Sequence, residues 1–167
     1  MPNWCNNTIT IKGDFDTLVQ LKTVIEEDTG FLQAIKPMPE ELEDTTSPSD
    51  SPNWYDWRVS NWGVKWDVST EGMEFIDNKD GTATIEGWFE SPWGPPLEAL
   101  HTLAEDWDSC YIELMYHEPG MCFVGCWDSE GGDDHYDYEK ASDVPSYLDE
   151  HFGLTEQEQM WDEEETV

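Results

Sequence analysis

A chain of 167 residues suits one domain, and ten Trp with 13% aromatic content are too many for a wholly disordered acidic chain. Thirty-nine Asp and Glu against seven Lys and Arg give a formal net charge of −32, which opposes direct binding to nucleic acid or to anionic membranes. No apolar run has the length of a membrane helix, and Met1–Lys12 lacks the basic-then-apolar order of a secretory signal, so the expected location is the cytoplasm.

Asn6–Lys12 alternates Ile9 and Ile11 with polar residues and reads as a first strand, ended by Gly13. Asp14 or Asp16 caps a helix whose apolar face is Phe15, Leu18, Leu21, Val24 and Ile25, and which ends near Asp28, before Gly30. Phe31–Pro39 is broken by prolines and is expected to be an extended connector, followed by a surface loop over Glu40–Asn53. A short helix is expected from Trp54 to Ser60. Gly63 breaks it, and Val64, Trp66 and Val68 then alternate as a strand that Met73–Ile76 continues. Asp80-Gly81 signals a tight turn into a return strand, Thr82–Glu90. Pro95-Pro96 opens a second helix with Leu97, Leu100, Leu103, Ala104 and Trp107 on one side. Ser109–Tyr116 alternates again, Glu118-Pro119-Gly120 turns the chain, and Met121–Trp127 pairs back as a hairpin.

The order strand, helix, strand, strand, helix, strand is the ferredoxin-like split βαβ pattern. The expected fold class is therefore α+β: an antiparallel sheet with both helices on one face, an extra C-terminal hairpin strand and an acidic appendix. Residues 1–128 form this domain, and residues 129–167 an acidic, partly helical extension. Within the extension Val144, Leu148, His151 and Phe152 are spaced as a short helix that docks on the sheet. From Thr155 onward a second short helix or a frayed end follows. Residues 128–167 carry −14 and residues 1–127 carry −18, so charge density is far higher in the extension.

Several segments, in the same order, resemble the YubB-type ferredoxin-like domain family of plasmids and bacteriophages. They are the opening MPNWCNNTITIKG, Lys36–Glu40, Asn61–Asp67, Phe89–Pro96 and Glu118-Pro119-Gly120. The resemblance covers about residues 1–128 and implies the fold and a mobile-element origin. It brings no catalytic residues with it. The segment after Trp127 and the loop Ser47–Ser51 lie outside it.

No zinc-protease, nucleophile-elbow, P-loop or dinucleotide-binding spacing is present. His101, His117, His135 and His151 are scattered, with a Cys110–His117 pairing left open. Cys5, Cys110, Cys122 and Cys126 fit neither a zinc site nor a disulfide framework. Cys122 and Cys126 share a face if MCFVGC is a strand. The expectation is a protein that is not an enzyme and has no obligatory cofactor. Trp57, Trp62, Trp66 and Trp88 read as core and edge-sealing residues, and Trp93 and Trp161 as exposed anchors.

The charge itself is the remaining signal. Closely spaced carboxylates on a folded surface compete with phosphates for a basic groove, and long-range attraction speeds the encounter. The expected function is that of a phage or plasmid accessory protein binding a basic host protein, in its sharper form by occupying a nucleic-acid site. The expected carriers are Asp128, Glu130, Asp133, Asp134, Asp137 and Glu139, with Trp127 as an apolar anchor. Two alternatives stand beside it. One is binding of calcium or another cation by the oxygen-rich Asp128–Asp134 loop, although EF-hand spacing is absent. The other is acidity as solubility or salt adaptation, with the Trp-rich surface taking a partner.

Overall fold

Strand β1 (Trp4–Asp14) is the seam of the molecule, hydrogen-bonded on both sides to strands far away in sequence. The computed structural model describes residues 2–27 and 30–165. After β1 come helix α1 (Phe15–Glu27), helix α2 (Phe31–Ile35) and helix α3 (Trp54–Asn61). Then follow β2 (Met73–Asp77), β3 (Thr82–Pro92), helix α4 (Leu97–Asp106), β4 (Tyr111–Glu118), β5 (Phe123–Asp128) and β6 (Gly132–Asp137). Helices α5 (Ser146–Phe152) and α6 (Leu154–Glu165) close the chain. The expected end of α1, Asp28, lies outside the described residues.

The six strands lie in the order β2-β3-β1-β4-β5-β6, each neighbouring pair antiparallel. The first four form the split βαβ arrangement, and β5 and β6 extend it by hairpins. The fold is the expected α+β ferredoxin-like one.

Alternation of period two assigns the faces. Cys5, Asn7, Ile9 and Ile11 of β1, Ala83, Ile85 and Phe89 of β3, and Ile112, Leu114 and Tyr116 of β4 point to one face and are buried. There they meet Leu18, Leu21 and Ile25 of α1 and Ala99, Leu100 and Leu103 of α4 in the main core. On the opposite face a smaller core forms where Val124 meets Ala141, Val144, Leu148 and Leu154, flanked by Met115, Cys126 and Tyr136. Helices α5 and α6 thus roof the β4–β5–β6 half of that face. The predicted docking of Leu148 holds.

Four expectations need correction. Phe31–Ile35 is a short helix rather than an extended connector, because the Asp67 carboxylate accepts from Leu32 N at 2.7 Å and Gln33 N at 3.0 Å. Those bonds satisfy donors that a five-residue helix leaves open. Val64–Val68 is not a strand: Val64 and Val68 are buried, but no neighbouring strand offers a ladder there. Cys122 is not on β5. It sits in the preceding turn with φ +56° and is exposed, so it shares no face with Cys126. Trp66 and Trp88 are not core residues, being 40% and 64% exposed. Trp88 falls on the even positions of β3, which face away from α1 and α4.

Candidate functional site

The expected acidic row lies on the β5–β6 hairpin and the loop after it. β6 is the outermost strand, paired on one side only, and β5 supplies its whole ladder from Phe123↔Asp137 to Asp128↔Gly132. Gly132–Asp137, with three Asp and one Gly in six residues, was not a recognisable strand in the sequence. The ladder with β5 makes them one. Alternation then divides the row. Asp133 and Asp137 stand on the face of α1 and α4, Asp134 on the roofed face, and Glu139 lies beyond the strand end. Asp128 faces inward on the turn: its Oδ1 accepts from Glu130 N at 2.9 Å and from Gly131 N. Glu130, Asp133, Asp134, Asp137 and Glu139 are exposed.

Asp133 is tied to the fold by its side chain, and Glu139 by its backbone. Tyr116 donates its hydroxyl to Asp133 Oδ1 at 2.7 Å, and His135 Nδ1 lies 3.0 Å from the Tyr116 hydroxyl oxygen. Burial, with the Asp133 carboxylate adding to it, pushes the Tyr116 phenol well above its ordinary range. Asp143 accepts from the backbone N–H groups of Glu139 and Lys140, at 3.1 and 3.0 Å, and holds the loop shape. Trp127, expected as an apolar anchor for a partner, is 2% exposed; it faces the main core with His101 edge-on at 5.4 Å. It pairs with Leu114 on β4, so the same alternation that buries Leu114 buries it. It is not available to a partner.

Three of the segments that carried the sequence resemblance, the opening one, Phe89–Pro96 and Glu118–Gly120, converge at one end of the sheet. Asn7, buried, donates its amide to Ser91 Oγ at 2.8 Å and to Cys5 O at 3.1 Å. Ser91 passes a hydrogen bond to Gly94 O at 2.6 Å, and Trp93 N donates to Asn3 O at 2.8 Å. The Glu118 carboxylate accepts from Gly120 N at 2.8 Å and Met121 N at 2.6 Å, closing the β4–β5 turn. A Cβ at Gly120 would lie 2.8 Å from the Asn3 side chain and 2.9 Å from the Glu118 carboxylate, so a larger residue there must push those side chains aside. Cys5 is sealed in this end, and burial, reinforced by Glu118, raises its thiol to about 12. A thiol held protonated in this way is a packing group rather than a nucleophile. Trp93 has φ +68°, an uncommon conformation for a bulky residue, and is 49% exposed, in keeping with its expected exposure.

The Cys110–His117 pairing that the sequence left open does not form. Cys110 and His117 lie at opposite ends of β4. His117 is buried under α5, its Nε2 2.7 Å from Tyr138 Oη and its ring 5.3 Å from Phe152. Burial lowers its imidazole to about 4. His151 Nε2 lies 2.8 Å from Thr8 Oγ1 and ties α5 to β1. Among the described residues, no group of three or more His, Cys, Asp or Glu is placed to hold a metal ion. No described helix is long and apolar enough to cross a membrane.

Sequence reasoning passed over the half of the sheet that α5 and α6 leave open. Trp88 stands out from it between two shallow grooves of about 570 and 620 Å³, edged by Glu71, Glu74, Glu86 and Glu90. Trp4, also exposed, packs on Trp66 at 6.3 Å. The signal was the parity of Trp88 against Phe89 within one strand.

The comparisons with known proteins agree with this architecture. The family described as "Ferredoxin-like domain in Api92-like protein" matches residues 62–164, a span that includes the acidic segment after Trp127. No curated protein matches the chain. Among solved structures it is similar to the crystal structure of a protein api92 from Yersinia pseudotuberculosis. The two share 12% identity with a TM-score of 0.50, over 83% of this chain and 98% of that one, a likeness of fold alone. On the family match, this chain belongs to the ferredoxin-like domain family of Api92-like proteins.

Proposed function

We propose that this chain is a non-enzymatic accessory protein of a plasmid or phage, acting in the host cytoplasm, that binds a basic host protein at a surface otherwise used for nucleic acid. The observation that carries this reading is uncompensated charge on a rigid frame. Thirty-nine carboxylates face seven cationic side chains, and Lys22 and Lys79 are already engaged with Glu26 and Asp77. Along β6 the exposed acids are held on a strand rather than on a floppy tail, which lowers the entropy lost on docking. The resemblance of residues 1–128 to the YubB-type domains of plasmids and phages supports the mobile-element context. The acids of β6 have a second effect: they keep a free strand edge from pairing with other chains.

The test is capture of the host partner by the full chain, followed by release in rising salt. Many matched charges predict a steep salt dependence. Changing Asp128, Glu130, Asp133, Asp134, Asp137 and Glu139 to Asn or Gln should cost far more affinity than changing the six acids in Glu26 to Glu43. Equal losses would assign binding to general charge. Loss from neither set retires the proposal.

A further inference from the structure

The open half of the sheet has features that solvation alone does not account for. Glu74 of β2 and Glu86 of β3 are direct cross-strand partners on the same face. Like charges opposite each other oppose strand pairing, and a third carboxylate, Glu71, edges the same groove. None of the residues lining the two grooves is Lys or Arg. Trp88 stands between them at 64% exposure, and Trp4 borders the larger one at 41%. The base of Trp88 is braced. Trp88 N donates to Gly72 O at 3.3 Å, and a Cβ at Gly72 would come within 3.1 Å of its indole ring. The indole is therefore seated on backbone.

Elsewhere the chain shows what its Trp faces hold. Lys65 Nζ lies 4.3 Å from the Trp66 ring centre, and the Arg58 guanidinium lies between Trp54 and Trp62 at 5.2 and 5.1 Å. An aromatic face bordered by carboxylates is complementary to a cation, and a planar guanidinium meets both demands by stacking on the indole and forking onto carboxylate oxygens. Phosphate is repelled by the same rim, so the stacking of nucleic-acid bases seen on other open sheets has no electrostatic support here.

We propose that the open face of β2, β3 and β1 docks an extended, arginine-bearing segment of a partner protein, with a guanidinium stacked on Trp88 and paired with Glu74 and Glu86. This surface is separate from the β5–β6 edge and does not rest on the reading given for that edge.

The probe is an acetylated, amidated hexapeptide, Gly-Arg-Gly-Arg-Gly-Gly, titrated into the full chain with 15N-labelled indoles at roughly 0.15 M salt, where long-range attraction is largely screened. The indole signals of Trp88 and Trp4 should move progressively. Trp88→Ala should weaken binding roughly fivefold, and Glu74→Gln with Glu86→Gln by a similar factor. The citrulline counterpart, which keeps shape but not charge, should not bind. The variant neutralised at its six acids from Asp128 to Glu139 should bind the peptide as the wild type does. The proposal is overturned if no indole signal of Trp88 or Trp4 moves, if Trp88→Ala binds as tightly as the wild type, or if the six-acid variant loses binding. It is also overturned if sedimentation shows that Trp88→Ala dissolves a self-associated form, which would make a second copy of the chain the occupant.

Discussion

The two faces of the sheet are made by the same strands and meet water in different ways. Toward α1 and α4 the strands present a continuous apolar layer, from Ile85 through Ile9 and Ile112 to Trp127. The other face is divided. Its β4–β5–β6 half packs Val124, Cys126 and Met115 under α5 and α6, whereas its β2–β3 half presents Glu74, Glu86 and Trp88 to solvent. Alternation delivers a side chain to a face; a covering element, often distant in sequence, decides whether that face is core or surface. Large buried side chains are therefore expected to matter according to which roof covers them.

The largest effect should come from breaking the continuous layer. Trp127→Ala empties a buried aromatic site against His101 and is expected to cost about 3–5 kcal/mol in urea unfolding. A loss under about 1 kcal/mol would place Trp127 outside the core. Next is the smaller roof. Leu148→Ala should cost about 2–4 kcal/mol, and hydrogen exchange should rise in β6 and α6 while β1 and β3 keep their protection. Equal loss of protection in β1 would show that the two cores melt as one.

A pH experiment sharpens the same contrast. Burial under α5 lowers His117 from about 6.5 to about 4 in the folded protein, so the unfolded chain takes up the proton first as pH falls. The stability that comes from keeping His117 neutral is complete above the unfolded value near 6.5. It is lost as pH drops toward 4, by roughly 2–3 kcal/mol. His117→Gln lacks this loss, so the difference between wild-type and variant stability curves should narrow across that window. A constant difference would show that the imidazole is not buried under α5. The smallest stability effect is expected on the open half. Trp88→Ala should change unfolding free energy by no more than about 0.5 kcal/mol, and a larger loss would mean that Trp88 is packed rather than presented.

Much of the main layer was legible. β1, α1, β3, α4, β4 and β5 each carry a clear period, because a single face of each is buried and the apolar residues must recur at the repeat of the element. α3 was legible from its boundaries, and Asn53 caps it by accepting from Asp56 N at 2.9 Å. The candidate site was less legible. The acids of the β5–β6 region could be named from composition, but not their division between two faces. Trp127 looked like an anchor only because the strand that follows it was not visible. Gly132–Asp137 has almost no apolar residue to mark a period, and its strand character comes from the partner ladder.

Local period and residue counts are enough for the ferredoxin-like order of elements, the apolar layer toward α1 and α4, and the excess of acid. Contacts between distant segments set the rest. Asp67 reaches back over 30 residues to make Phe31–Ile35 a helix, β5 recruits an acidic segment as a sixth strand, and α5 with α6 roofs one half of a face while leaving Trp88 in water on the other. The physical reason is common to all three. Hydrogen-bond partners and covering surfaces supplied from far along the chain leave no periodic trace in the segment that receives them.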